Sequence, residues 1–259
     1  MDKDPLTRME NLLKSGVSTD KVLQDMINYL RQKESPPKSD TSLEEMIDDF
    51  LEAGNNENER FERAKRIYEE LKKKGVDNLN SIYGYVEHKY SDEFKDFNNE
   101  DVNRIVSSVG KNDRYKHVIL SCAINYSDLD EITIYEDVSK VEYVGWRLGI
   151  NGHRKKLIVK GDAGDFCGYD MYGGAIYVKG DAKDYCGHKM SGGEIHVEGN
   201  AAAVCGYYMY GGEIHVEGNA GGGCGSYMSG GEIRVDGEIV GPIGKNKTGG
   251  KIINKGNGY

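Results

Sequence analysis

Four cysteines, Cys167, Cys186, Cys205 and Cys224, are each 19 apart in the sequence. Thiolates are soft ligands, so a row of them at fixed spacing invites zinc or copper(I). The spacing itself argues otherwise. Equivalent residues of stacked strands lie along a line at about 4.8 Å, and a line of thiols cannot surround one tetrahedral ion. Running the register outward puts Leu148 and Ile243 in the same slot. A slot that takes leucine and isoleucine is apolar, and free cysteine packs there as a small hydrophobe. The expectation is a core ladder of reduced thiols, with no metal and no cofactor bound by this chain itself.

Three further groups could do chemistry. Glu194-His196-Glu198 and Glu213-His215-Glu217 have the residue types to hold a divalent metal or move protons. The third copy reads Glu232-Arg234-Asp236, and arginine cannot ligate, so a solvated face of cross-strand acid–base pairs is expected. Gly241 to Thr248 approaches the phosphate-loop pattern G-x-x-x-x-G-K-S/T, but Asn246 stands where a glycine belongs and no helix pattern follows. Tyr169, Tyr172, Tyr207, Tyr208, Tyr210 and Tyr227 cluster near the repeat corners. Tyrosine joins a broad apolar ring to a polar tip and is enriched at interfaces; an interface and a structural edge cap both remain open for these six. No Ser/His/Asp or Cys/His set has a spacing that argues for a catalytic site, so catalytic residues stay unassigned.

The elements that must carry these residues are written in the glycines. Gly161, Gly180, Gly199, Gly218, Gly237 and Gly256 are each 19 apart, as are Gly168, Gly187, Gly206, Gly225 and Gly244. Glycine pairs end at Gly174, Gly193, Gly212, Gly231 and Gly250. These are corners where positive φ is expected, at Gly192 and Gly211 as well. Between corners, residues alternate as in Glu194-Ile195-His196-Val197-Glu198, with the apolar pair on one face of a strand. One such unit has nothing to bury its apolar face against, whereas stacked units close a continuous core. The expectation over 141–259 is a right-handed parallel β-helix of about six 19-residue coils, with Leu148-Gly149 on the Cys-Gly position of the first coil.

Residues 1–110 are charged, glycine-poor and helical in period. Phe61, Ala64, Ile67, Tyr68 and Leu71 line one face between 57 and 74, and Gly75 stops that helix. Ser42 and Glu45 form a capping box for a separate helix through Ala53. Val22, Leu23, Met26, Ile27 and Leu30 make a further stripe, ended by a linker at 34–41. Helices are also expected at 78–88 and 100–107, and strands at 117–124 and 131–135. The fold class is thus α+β. A helical region (1–110) precedes an α/β connector (111–140) that caps the first coil, and 111–259 is expected to fold as a unit.

A formal charge of −9 excludes a general nucleic-acid binder, which needs a basic face. Residues 1–13 lack the basic run and apolar region of a secretory signal. No apolar stretch is long enough for a bilayer, so no membrane partner is expected. Five cysteines, an odd number, suit reduced thiols in a cytoplasm better than a disulfide framework.

The repeat, G-D/N-A-x-x-x-C-G-x-x-M-x-G-G-x-I-x-V-x-G, resembles the GXGXG repeat family. Its members include the C subunit of formylmethanofuran dehydrogenase and the C-terminal domain of the glutamate synthase large subunit. The resemblance covers residues 141–259, and Met171, Met190, Met209 and Met228 bring it nearer the former. It implies a right-handed β-helix that braces catalytic parts carried elsewhere. The chain would then be a non-catalytic scaffold subunit of a redox complex, bound to catalytic protein partners and with self-association open. A glutamate synthase-like accessory protein and a stand-alone protein-binding module are the alternatives. The helical first half matches neither family. The chain starts Met1-Asp2, without the N-terminal cysteine of amidotransferase chemistry, and neither half has iron–sulfur spacing.

Overall fold

The computed structural model describes residues 43–75, 79–108, 114–135, 138–150, 152 and 154–256, with side chains of the first helix from Glu59 onward. The chain divides into two compact units, Met1–Glu59 and Arg60–Tyr259. The stripe at 22–30, the linker at 34–41 and the cap at Ser42 lie outside the described residues.

Helix α1 (Leu43–Lys74) is one element of 32 residues, where the sequence suggested two with a break after Ala53. A glycine such as Gly54 costs about 1 kcal/mol in a helix interior, and the helix formers on both sides outweigh that. Within the second unit its Ala64, Ile67 and Leu71 are buried. Gly75 ends it with φ 61°, its N–H donating to the Leu71 carbonyl at 3.2 Å, as a left-handed C-cap does. Helix α2 (Leu79–Tyr90), a 3-10 turn (Ser91–Phe94) and α3 (Asn99–Ser108) follow. Asn98 and Asp101 cap α3 reciprocally: the Asp101 N–H donates to Asn98 Oδ1 at 3.0 Å, and the Asn98 N–H to Asp101 Oδ2 at 2.9 Å.

Residues 117–124, expected as a strand, lie in helix α4 (Arg114–Tyr126). Val118, Ile119, Leu120, Cys122, Ala123 and Ile124 are all buried. A short run that is apolar on every side has no period to read, so strand and helix look alike in sequence. Tertiary packing decides between them. The helix lies against α2 and α3 and donates Ser121 Oγ to the Trp146 carbonyl at 2.5 Å. The Lys155 ammonium meets the carbonyls of Ser127 and Leu129 just past its end, at 2.5 and 2.6 Å, a favourable place for a cation.

Strands β1 (Glu131–Ile134), β2 (Lys156–Val159), β3 (Ala175–Val178), β4 (Glu194–Val197), β5 (Glu213–Val216), β6 (Glu232–Val235) and β7 (Lys251–Asn254) form one parallel sheet in chain order. From β2 onward the strand starts are each 19 apart, which makes a parallel β-solenoid of five turns between its six rungs. Isoleucine stacks on isoleucine through Ile176, Ile195, Ile214 and Ile233. A second ladder of single bridges joins Ala163, Ala182, Ala201, Ala220 and Ile239. The α+β expectation holds, and the solenoid core is the predicted one.

The first coil is out of the expected register. Gly168 N–H donates to the Val144 carbonyl as Gly187 N–H does to Cys167, at 2.9 and 2.8 Å. Val144, and not Leu148, therefore stands on the cysteine line. Leu148 occupies the methionine line, since Tyr172 N–H donates to its carbonyl as Ser191 N–H does to Met171. The step from Val144 to Cys167 is longer by four than the regular step from Cys167 to Cys186. The extra residues lie in the connection before Lys156.

The glycine pairs also divide. Gly174, Gly193, Gly212, Gly231 and Gly250 have φ between 76° and 85°. Gly192 and Gly211, expected to share that conformation, do not have positive φ. They are glycine because a Cβ on either would sit 2.5 Å from the carbonyl oxygen of the neighbouring rung, Tyr172 or Ser191.

The outer edge of β1 is sealed by α3. Asn99 Oδ1 accepts from Thr133 N–H at 3.0 Å, Asn103 Oδ1 accepts from Tyr135 N–H at 2.8 Å, and Asn103 Nδ2 donates to the Thr133 carbonyl at 2.9 Å. The boundary expected at 110 thus falls inside the second compact unit, which starts at Arg60.

Candidate functional site: the aromatic corner

The corner that follows the bridge ladder carries stacked rings on its first coils. Tyr143, Phe166 and Tyr185 stack face to face on successive coils, at centroid distances of 4.9 and 4.8 Å and interplanar angles of 8° and 9°. The rung spacing of a sheet is close to ring-stacking distance, so in-register aromatics stack with little adjustment. Beside this row runs a second one, Tyr169, His188 and Tyr207, with centroids 5.1 and 5.4 Å apart. Tyr207 touches Tyr208 edge-on at 4.7 Å, and Tyr208 stacks on Tyr227 at 4.8 Å.

Of the six tyrosines marked in the sequence, Tyr169, Tyr207, Tyr208 and Tyr227 therefore belong to one assembly. Tyr172 and Tyr210 stand beside the glycine corners, 43% and 54% exposed. Sequence reasoning missed Tyr143, Phe166, Tyr185 and His188. The signal was present for the last three: Phe166 and Tyr185 are 19 apart, and His188 lies midway between Tyr169 and Tyr207 at the same period.

The backbone here is strained. Phe166, Tyr185 and Val204 share one left-handed position, with φ of 59°, 61° and 56°; Asp170, Lys189, Tyr208 and Tyr227 share another. Each such residue costs roughly 1–2 kcal/mol, and the stacked neighbours hold it in place. The His188 ring nitrogens are buried without a hydrogen-bond partner. Burial, reinforced by the charge on Lys189, brings this imidazole down to about 4, so it is neutral near pH 7.

A polar ladder on the same turn was also missed. Asp162 Oδ1 accepts from Asp181 N–H, Asp181 from Asn200, Asn200 from Asn219 and Asn219 from Glu238, at 2.7–2.9 Å. The D/N of the repeat is therefore a backbone clamp between coils.

The other candidates fall elsewhere. Cys167, Cys186, Cys205 and Cys224 are fully buried. Hydrogen bonding to Cys186, together with burial, holds the Cys167 and Cys205 thiols well above their ordinary range. Among the described residues no group of three or more His, Cys, Asp or Glu could hold a metal ion. On the outward face, His196 Nε2 meets Glu217 Oε1 at 2.8 Å and His215 Nε2 meets Asp236 Oδ2 at 2.9 Å. These are diagonal pairs between neighbouring rungs. Hydrogen bonds from Lys255 and His215 hold the Asp236 carboxyl below the usual range. The 241–248 stretch is the corner of the last coil; its Lys247 Nζ donates to the Gly250 carbonyl at 2.9 Å. A hollow of ≈ 580 Å³ opens on the glycine corner, walled by Tyr172, Arg154, Lys156 and Glu194.

Fold and site together define a helix-capped parallel β-solenoid with a ring-lined corner. No family model matches this chain, and no curated protein matches it. Among the described residues no helix is long and apolar enough to cross a membrane.

Proposed function

We propose that this chain is a non-catalytic scaffold that holds other protein subunits of a redox enzyme complex, of the kind its repeats resemble, and that the aromatic corner is its docking face. The corner carries the reading. Tyr208, stacked on Tyr227, is 37% exposed, on a backbone fixed by a ladder of inter-coil hydrogen bonds. Exposed tyrosine supplies apolar area with a polar tip, as protein interfaces require. A rigid platform also lowers the ordering cost of association. The reading gives the chain no cofactor of its own and a cytoplasmic place.

The test is purification of the full chain from its native cells. A co-purifying subunit with iron–sulfur absorbance, or with bound molybdenum or tungsten, is expected. A folded Tyr208→Ala/Tyr227→Ala variant should lose that subunit. A flavin-bearing partner would move the reading to a glutamate synthase-like accessory protein. Full retention by the double variant would remove the corner from it.

A further inference from the structure

The two ends of the solenoid are finished differently. At β1, Asn99 and Asn103 occupy the outer backbone groups of the strand. At β7 the core is partly open: Ile239 and Asn254 stay buried and Ile252 is half-buried. Val240 continues the outward line of Lys183, Ala202 and Gly221, and only Ile243 brings a core line, that of the cysteines, to the surface. Among the described residues the exposed large aliphatic side chains are Val240, at 66%, and Ile243, at 41%, both in the last turn. Cys224, directly beneath Ile243, is 0% exposed. Lys251 and Lys255 N–H donate back to the Gly231 and Val235 carbonyls. By the alternation of a parallel ladder, the Ile252 N–H and carbonyl point away from β6.

This apolar end is ringed by Lys245, Lys247, Lys251 and Lys255, all exposed. Residues 239–259 contain no acid, in a chain whose net charge is −9. The rung below indicates what such lysines accept. Lys251 lies in register over Glu232, with Nζ 3.8 Å from the carboxylate. Lys255 Nζ is 2.7 Å from Asp236. One side of the last rung is thus matched to the pattern acid-apolar-x-apolar-acid, and its other side offers the same lysines again.

We infer that the β7 end is a docking edge for an acidic strand of a partner protein, which adds as the next rung. Its carboxylates sit over Lys251 and Lys255, its first apolar side chain covers Ile252 beside Ile243, and its second falls over Asn254. Strand addition of this kind takes affinity from main-chain hydrogen bonds and specificity from alternate side chains. A second copy of this chain fits poorly: two β7 ends would set lysine against lysine, and the β1 end is closed. The inference concerns a different surface from the aromatic corner and does not depend on it.

The probe is a capped peptide with the sequence of residues 212–218, GEIHVEG, added to the full chain. Binding is expected, with slowed hydrogen exchange at the Ile252 amide. Binding should weaken roughly tenfold in Lys251→Glu/Lys255→Glu, because like charges then face one another. The lysine-for-glutamate peptide should bind that variant instead. If the variant does not fold, Lys245→Glu/Lys247→Glu and the wild-type exchange measurement carry the test. Four results would overturn the inference: an Ile252 amide already as protected as Ile233 in the free chain; equal binding of a glutamine-for-glutamate peptide; self-association through this end that the peptide competes away; or tighter, lysine-dependent binding of single-stranded DNA, which would mark a general polyanion site.

Discussion

At each glycine corner two neighbouring glycines are required for two different reasons. Gly212 needs its φ of 83°, and a Cβ there would also sit 2.7 Å from the Gly193 carbonyl oxygen. Gly211 has ordinary φ, but its Cβ would lie 2.5 Å from the Ser191 carbonyl oxygen. Alanine at either position should destabilise by more than about 1 kcal/mol, with the larger loss at Gly212, where strain adds to the clash. Urea midpoints check this; a neutral Gly211→Ala would mean that the neighbouring rung yields. His188 sets a second expectation at this scale. Its imidazole stands at about 4 in the fold, against about 6.5 in an unfolded chain. Between those values the unfolded chain binds more protons, so stability rises with pH. The contribution is complete above about pH 6.5 and lost as pH falls through about 4. His188→Phe, which keeps a ring between Tyr169 and Tyr207, should flatten the melting temperature across that window. An unchanged slope would assign the acid limb to other groups, Asp236 among them.

Among the elements, α3 has a role that its own amphipathic pattern does not announce. It places two asparagines one turn apart against a strand edge, doing with side chains what the next rung does elsewhere. Asn103→Ala would leave the Thr133 carbonyl and the Tyr135 N–H unpartnered beside the core. A loss of about 1–3 kcal/mol is expected, with the β1 amides exchanging faster while those of β5 stay protected. Uniform loosening of all rungs would mean that α3 acts only through its apolar face. Helix α4 marks the limit of local reading. Its central stretch, 117–124, carries no alternation and no helical stripe, because the helix is buried on nearly every side, and only its neighbours make it a helix.

Taken whole, the second unit joins helices and solenoid in one core. Tyr83 of α2 packs against Trp146 of the first coil, with centroids 5.1 Å apart, and Asn125 of α4 donates to the Trp146 carbonyl at 3.1 Å. A chain starting at Lys111 would lose α2 and α3, and with them the cover of β1 and of Trp146. An uncovered strand edge beside apolar surface is an aggregation site. The chain from Arg60 to Tyr259 is therefore expected to melt cooperatively, and the shorter one to aggregate. A soluble, cooperative chain from Lys111 would show that the solenoid needs no helical cover.

The sequence alone determined the solenoid, its rung length, the inward isoleucine and valine lines, the buried cysteines and the glycine corners. Each of these is a contact made again on every rung, so one physical requirement is written several times and becomes a period. Tertiary structure alone decided the helical state of 117–124, the longer first coil that moves Val144 onto the cysteine line, the asparagine seal on β1 and the joining of two aromatic rows at one corner. Most of these are contacts made once between distant segments, and a contact made once leaves no period behind. The rows at the corner do repeat, but a regular spacing states only that like residues stack. Which neighbouring lines meet depends on how the backbone turns between rungs, through left-handed residues such as Phe166 and Tyr208 that no propensity would place there.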